Sequence, residues 1–225
     1  MCKKMFPMLL LVLSLSAQAA VIYETPLAQG TWSMDDWEMV KSPRSDYRGE
    51  WVQHPDMIVN KVPDGTDPAT FVTSSTTTFT GMLFKRSFSG DITISMDCKF
   101  AYRMAPGILI AAEPLRKNGD RTELAEHFEI ILYDNGLNIW FHYFENGTPK
   151  YVKKSSFLEK GVFTANKFHR LTVKFYTRKG KRFIDVYGGD KLLSAYTAEI
   201  TGSFKVGIVG SEGVNSFRNI QISTP

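Results

Sequence analysis

The stretch from Glu126 to Ser155, EHFEIILYDNGLNIWFHYFENGTPKYVKKS, decides the fold that this sequence predicts. It contains two Asn-Gly pairs, Asn135-Gly136 and Asn146-Gly147, and each lies between runs in which side-chain character alternates. Asn-Gly in that setting is the strongest short signal for a β-hairpin, because both residues tolerate a positive φ. The stretch therefore predicts three antiparallel strands joined by two tight turns.

The first turn also predicts a register and hence two faces. With Asn135-Gly136 as a two-residue loop, Leu132 pairs with Ile139 and Glu129 with His142, and paired residues share a face. The apolar face carries Phe128, Ile130, Leu132, Ile139, Phe141 and Tyr143. The other face carries Glu129, Ile131, Tyr133, Asn138, Trp140 and His142. Such a sheet is half-buried, and its polar face is the best candidate for a functional site.

The rest of the chain shows the same short alternating runs. Asp91–Arg103 alternates with Ile94, Cys98 and other apolar residues inward, and a change of parity near Arg218-Asn219 predicts a β-bulge. Residues 114–126 and 155–168 read as connections that hold at most a turn of helix. About twelve strands at spacings of about ten residues predict an all-β sandwich or barrel.

The first residues have the features of an export signal. Lys3 and Lys4 precede an apolar run that is too short to span a bilayer, and Ala17-Gln18-Ala19 fits a cleavage site. We therefore expect residues 1–19 to be a signal peptide, residues 20–225 to form one domain, and the protein to be periplasmic or extracellular. Cys98 is then the only cysteine of the mature chain, which excludes an intramolecular disulfide.

Composition excludes some partners and leaves others open. The formal charge is +4, of which Lys3 and Lys4 contribute two, and no basic block with interleaved aromatics suggests a nucleic-acid binder. No spacing of His, Cys, Asp and Glu resembles a zinc motif, and no phosphate-binding glycine loop is present. We expect no cofactor and no metal centre, and the oligomeric state is not predicted.

The ordered series of strand motifs resembles the concanavalin A-like lectin/glucanase superfamily, whose members are two-sheet antiparallel jelly rolls. The nearest patterns are those of the 3-keto-disaccharide hydrolase domain family and of laminin-G-like domains. The resemblance implies a carbohydrate on the concave face of one sheet, with Glu129 at a position that points into the groove, and it allows a structural calcium ion. The motifs that carry it are FSGDITISMDCKF (88–100), APGILIA (105–111), HFEIILYDNG (127–136), FHRLTVKFYTRKGKRFIDVYGGDKLL (168–193) and GSFKVGIVGSEGVNSFRNIQI (202–222).

The polar face supplies the predicted site residues. Glu129 and His142 are the catalytic candidates, because a carboxylate and an imidazole can move a proton. Trp140 offers a flat surface for the C–H face of a pyranose. The other predicted ligand-binding residues are Tyr133, Asn138, Tyr151 and Lys153, joined by Asp97, Lys99 and Arg103 if their strand belongs to the same sheet, and His127 is expected at the groove edge.

The function predicted from these residues is carbohydrate binding by an exported protein, with cleavage left open. The Glu-x-Asp-x-Glu strand motif of the superfamily's glucanases and the strand motifs of its alginate lyases are absent. Hydrolysis needs two carboxyl groups about 5–9.5 Å apart, and the sequence places Glu129 on the face, with Asp97 as a second acid only if its strand belongs to the same sheet. A lyase would need a base such as His142 or Tyr133 and a cation such as Arg103. The alternative is a non-enzymatic laminin-G-like interaction domain, which predicts that Trp140 is covered and that no groove exists.

Overall fold

The computed structural model describes residues 19–45, 47, 49–63, 67 and 78–225. Within these ranges the chain forms strands and one short 3-10 helix at Met34–Asp36, and no helix is long and apolar enough to cross a membrane. Residues 1–18 of the predicted signal peptide lie outside the described part. The strands are β1 (Ala20–Thr25), β2 (Trp37–Val40), β3 (Trp51–His54), β4 (Met57–Asn60), β5 (Thr80–Phe84), β6 (Ile92–Phe100), β7 (Met104–Ala112), β8 (Arg116–Asn118), β9 (Arg121–Glu123), β10 (His127–Tyr133), β11 (Gly136–Glu145), β12 (Thr148–Leu158), β13 (His169–Arg178), β14 (Lys181–Gly188), β15 (Lys191–Thr197), β16 (Phe204–Gly210) and β17 (Asn215–Thr224).

Two large antiparallel sheets form a sandwich. Sheet A has the strand order β15-β14-β13-β6-β17-β4-β3, with β1 also paired to β17, and sheet B has the order β12-β11-β10-β7-β16-β5-β2. Strands β8 and β9 form a small separate hairpin. The fold is therefore the predicted all-β, two-sheet antiparallel sandwich.

The predicted inward-facing residues form the core between the sheets. Phe128, Ile130, Leu132 and Ile139 of sheet B are fully buried, and Phe141 is 7% exposed. Residues of sheet A complete the same apolar cluster, among them Ile94, Cys98, Leu171, Val173, Ile184 and Val186. Because alternate residues of a strand point to opposite faces, this burial leaves the other face of sheet B for the polar residues.

The register of the β10–β11 hairpin differs from the prediction by two residues. The two-residue loop is Asp134-Asn135, so that Tyr133 pairs with Gly136, Ile130 with Ile139 and His127 with His142. Gly136 has φ 140°, and the backbone oxygen of Phe157 occupies the place where a Cβ atom would lie. A shift of two residues leaves side-chain parity unchanged, so both predicted faces are confirmed.

The second hairpin matches the prediction directly. Asn146 and Gly147 both have positive φ angles, of 51° and 79°, and Phe144 pairs with Pro149. This register places Tyr151 opposite His142 and Lys153 opposite Trp140. The predicted irregularity in β17 is also present, between Arg218 and Gln221.

Both segments that were predicted to be connections contain strand residues, and the condition that β6 shares a sheet with the polar face is not met. Residues 114–126 hold the β8–β9 hairpin rather than a helical turn, and β12 runs on to Leu158. Strand β6, which carries Asp97 and Lys99, lies between β13 and β17 in sheet A. The cause is topology: β6 and β7 are consecutive in sequence but belong to opposite sheets, which alternation within one strand cannot reveal.

Candidate functional site

The outer face of sheet B carries a cleft of about 370 Å³. Strands β10, β11 and β12 and the start of β7 supply most of its lining, and loops supply Arg44, Phe79, Ser211 and Glu212. Next to it, a second apolar cluster that includes Val40, Phe79, Leu109 and Leu124 covers part of the same face. The cleft is lined by Arg44, Phe79, Met104, Ala105, Glu129, Ile131, Tyr133, Asn138, Trp140, His142, Tyr151, Lys153, Ser211 and Glu212.

A buried carboxylate between two histidines lies at the floor of the cleft. Oε1 of Glu129 is 3.2 Å from Nε2 of His127, and Oε2 is 3.5 Å from Nε2 of His142. His127 and Glu129 are two apart on β10 and share a face, while His142 lies directly across from His127 on β11. The two imidazoles are nearly parallel, with ring centroids 4.4 Å apart. Each of the three residues is at most 7% exposed.

The hydrogen bonds of His127 fix its orientation. Nδ1 lies 2.9 Å from the backbone oxygen of Ala125, which can only accept, so Nδ1 carries the proton. The other nitrogen then faces the carboxylate of Glu129. Both ring nitrogens of His142 are buried: Nε2 has only the 3.5 Å contact to Glu129, and Nδ1 has no hydrogen-bond partner among the residues that the structure describes.

Burial and the neighbouring charges act in opposite directions on the pKa of Glu129. Burial is the largest influence on Glu129 and acts to raise its pKa, but the two histidines outweigh it and hold the pKa of Glu129 well below its ordinary value. Burial lowers the pKa of His127. The carboxylate is therefore ionised at neutral pH although it is almost inaccessible to solvent.

Aromatic rings with adjacent cations form one wall of the cleft. The rings of Trp140 and Tyr151 lie with centroids 5.8 Å apart, and Tyr151 also stacks on His142 at 5.8 Å. The guanidinium carbon of Arg44 lies 4.3 Å from the centre of the Tyr151 ring, and Nζ of Lys153 lies 5.8 Å from that of Trp140. The wall thus offers flat apolar surfaces and positive charge together.

A second carboxyl group reaches the cleft from the loop between β16 and β17. Glu212 has φ 53°, and its backbone N–H donates to Oγ1 of Thr78 at 2.8 Å. Burial in the cleft raises the pKa of Glu212 to about 7; the negative charge of Glu129 adds to this effect, and Arg44 opposes it. The buried side chain of Asn215 supports the loop, because its Nδ2 donates to the backbone oxygen of Ser211 at 2.9 Å.

The structure brings most of the predicted site residues together. Those that line the one cleft are Glu129, Tyr133, Asn138, Trp140, His142, Tyr151 and Lys153. His127 lies beneath this lining rather than at the groove edge, since it is fully buried.

Three predicted residues lie outside the cleft. For Asp97 and Lys99 the condition for including them, a shared sheet, is not met, because β6 belongs to sheet A. Asp97 faces outward from sheet A, where it pairs with Arg170 at 3.2 Å and with Arg218 at 3.7 Å. The ammonium group of Lys99 lies 4.9 Å from the centre of the Phe168 ring. Arg103 precedes β7 and pairs with Asp134 at 3.3 Å, at the β10–β11 turn and outside the cleft lining.

Sequence reasoning missed the residues that loops bring to the cleft. Arg44, Phe79, Ser211 and Glu212 come from segments with no periodicity, so no pattern could place them over this face. The floor did carry a local signal: His127-x-Glu129 puts two metal-ligating side chains on one face of a strand, and the cross-strand position of His142 completes the cluster.

Comparison with known proteins gave matches at the level of structure only. No protein-family model matches the sequence, and no curated protein is significantly similar to it. The carbohydrate-binding module CBM66 from Bacillus subtilis superposes with a TM-score of 0.53 at 14% identity, covering 82% of this chain and 99% of that chain. The κ-carrageenase from Pseudoalteromonas carrageenovora, in complex with an oligotetrasaccharide of κ-carrageenan, gives 0.59 at 8% identity, covering 97% and 99%.

A third similar structure is β-agarase B from Zobellia galactanivorans. Its TM-score is 0.59 at 10% identity, covering 92% of this chain and 94% of that chain. All three similarities lie below the level of identity at which an activity could be transferred. What they show is the fold, and the chain is therefore a jelly-roll β-sandwich, as these three proteins are.

Proposed function

We propose that this protein binds a carbohydrate in the cleft on the outer face of sheet B. The observation that carries the proposal is the combination of an aromatic wall, Trp140 and Tyr151, with buried polar groups inside one cleft. Sugars present hydroxyl groups and weakly apolar C–H faces, so their sites need flat rings beside hydrogen-bonding groups. The volume of the cleft, about 370 Å³, lies within the range of small-molecule sites.

Unsatisfied polar atoms in the cleft support a polar ligand. Oδ1 of Asn138 is buried and accepts no hydrogen bond from any described residue, and the buried Nδ1 of His142 likewise has no partner among them. Buried polar atoms without partners cost about 1–3 kcal/mol each, and such costs are commonly tolerated where a ligand supplies the partner. A sugar hydroxyl can donate to the Asn138 oxygen and accept from an imidazole N–H.

The shape of the cleft argues against the non-enzymatic laminin-G-like alternative. That alternative predicts that Trp140 is covered and that the face has no groove. Trp140 is instead half-buried, and one part of it lines the cleft.

The test is a glycan-binding measurement on matched variants. Trp140→Ala should weaken affinity by about 10- to 100-fold, the range expected when a central aromatic contact is truncated. Tyr102→Ala, which removes an exposed aromatic outside the cleft, should bind as the wild type does. Screening on a glycan array followed by calorimetry would measure both. Equal affinities of the wild type and the Trp140 variant, both folded, would place carbohydrate binding elsewhere or exclude it.

Cleavage of the bound glycan is the second candidate function, favoured by one observation. Glu212 places a second carboxyl group in the cleft that already holds Glu129, and hydrolysis uses such a pair. Product analysis on a panel of polysaccharides would detect turnover. Glu212→Gln and Glu129→Gln should each abolish it while leaving binding largely intact, because those groups would act in the transition state.

Export is part of the proposal as well. The Lys-apolar-small pattern of residues 1–19 predicts a mature protein that begins at Ala20, in the periplasm or outside the cell. Intact mass spectrometry of the protein from the native compartment measures the start. A chain that retains Met1 would contradict it.

A further inference from the structure

We propose that His127, Glu129 and His142 bind a divalent transition-metal ion of the zinc class at the floor of the cleft. The inference goes beyond carbohydrate binding, since it concerns the three side chains themselves and holds whatever ligand the cleft takes. One ligand atom from each residue lies within 4.8 Å of the others, and all three residues are buried. Two imidazoles and one carboxylate are also the ligand set of a known class of catalytic zinc sites.

The backbone positions suit a shared ion. His127 and Glu129 are separated by one residue on β10, so both side chains project from the same face of sheet B. His142 lies on the neighbouring strand, paired with His127. Three ligands on two adjacent strands of a rigid sheet are held by backbone hydrogen bonds, and ordering them costs little entropy.

The distances from the Glu129 oxygens to the nitrogens of His127 and His142 match those between two ligand atoms of one metal ion. Ligand atoms at about 2.0–2.1 Å from a tetrahedral ion are about 3.3 Å apart. The observed separations from Glu129 are 3.2 Å to His127 and 3.5 Å to His142. The nearly parallel rings require His142 to tilt towards Glu129, and this tilt breaks no hydrogen bond to a described residue.

The hydrogen bonds of His127 bring two acceptor atoms face to face. Nδ1 of His127 donates to the backbone oxygen of Ala125, so Nε2 of the neutral ring presents a lone pair to the Glu129 carboxylate at 3.2 Å. Two acceptors that face each other need either a proton or a metal ion between them. The hydrogen bond to Ala125 also fixes the ring in the way that an outer hydrogen-bond partner orients a metal-ligating histidine.

The environment of His142 favours the metal ion over the proton. With a proton shared by His127 and Glu129, His142 keeps only the 3.5 Å contact between its Nε2 and Oε2 of Glu129, and its buried Nδ1 has no hydrogen-bond partner among the described residues. A metal ion takes one ring nitrogen of His142 as a ligand and so uses all three side chains. The donor set excludes calcium and magnesium, which need six or more oxygen ligands or several waters, and favours metals that accept imidazole.

The position of the ion would give it access to a cleft ligand. Glu129 and His142 line the cleft, so the coordination position opposite the sheet would face the space beside Trp140. A zinc-class ion there would act as a Lewis acid towards an oxygen of whatever the cleft holds.

The test is metal binding by the full exported chain, purified without a histidine tag and stripped with chelator. Calorimetric titration with zinc chloride should show one tight equivalent, and added zinc should raise the unfolding temperature, because an ion that binds only the folded state stabilises it. His142→Gln and Glu129→Gln should each lower the affinity by about 100-fold or more. His54→Gln, which changes a half-buried histidine on sheet A, is the matched control and should leave the titration unchanged.

A spectroscopic measurement on the wild type keeps the proposal falsifiable if those variants fail to fold. X-ray absorption of the zinc-loaded protein should show two imidazole nitrogens at about 2.0–2.1 Å together with oxygen. If the wild type does not bind zinc, the proposal is overturned, and a proton shared by His127 and Glu129 would take the place of the metal ion. Binding that persists in both variants, or an oxygen-only spectrum, would also overturn it. None of these outcomes depends on glycan affinity, so this proposal and the proposed function fail separately.

Discussion

Replacing Glu212 by glutamine tests whether its carboxyl group is enclosed in the cleft. The folded protein raises the pKa of this group from 4.5 to about 7, chiefly by burial, so folding favours the neutral acid. The stability that this group contributes is fully present below pH 4.5 and is lost as the pH rises through 7. At pH 8 the buried negative charge of Glu212 therefore lowers the free energy of unfolding of the wild type. The Glu212→Gln variant, whose side chain is always neutral, avoids this loss.

The size of the effect follows from the two pKa values, 4.5 and about 7. A difference of that size corresponds to about 3 kcal/mol at full effect. Solvent at the open side of the cleft reduces this figure to about 2 kcal/mol. Glu212→Gln should accordingly be more stable than the wild type at pH 8. At pH 5 most of that advantage should have disappeared.

The assay is urea unfolding followed by tryptophan fluorescence at pH 5 and pH 8, with chelator present so that no metal ion alters the charge near Glu129. Glu145→Gln, at the exposed end of β11, is the control and should show the same difference from the wild type at both pH values. The reasoning is refuted if Glu212→Gln also shifts stability equally at both pH values, because the carboxyl group would then be solvated rather than enclosed.

Three further substitutions test other parts of the structure. Phe141→Ala should cost about 3–5 kcal/mol in urea unfolding, since the ring packs between the sheets; a far smaller cost would contradict its place in the core. Gly136→Ala should destabilise by about 2 kcal/mol or more, because its Cβ would overlap the Phe157 oxygen and its positive φ suits glycine; wild-type stability would show that the turn has another conformation. Asp97→Asn should change stability by about 0–1 kcal/mol and leave glycan affinity unaltered, and any loss of affinity would bring sheet A into the site.

The two faces of sheet B could be predicted because the face of a side chain depends only on whether its position along the strand is odd or even. The loop of the β10–β11 hairpin lies one residue earlier than predicted, at Asp134-Asn135, and this moves the pairing by two residues. Glu129, Trp140 and His142 therefore stay together on the outer face, as the alternation predicted. A shift by one residue would have reversed every side chain.

Sheet membership and loop positions could not be predicted, because they depend on contacts distant in sequence. Strand β6 pairs with β13 and β17, which lie far from it along the chain. The alternation within β6 therefore showed that Asp97 points away from the core, but not to which sheet its strand belongs. Glu212 reaches the cleft through a loop held by Thr78 and Asn215. Neither interaction leaves a periodic signal.

The position of β12 at the edge of sheet B bears on how the protein behaves at high concentration. An edge strand presents unpaired backbone groups that can accept a strand from another molecule, which leads to aggregation. In β12, Pro149 lacks an N–H group, Lys150 and Lys153 are exposed, and the pairing with β11 shifts between Ile139 and Trp140. Proline, lysine and an irregular pairing each disfavour the addition of a further strand, so the strand that contributes Tyr151 and Lys153 to the cleft also discourages fibril growth from this edge.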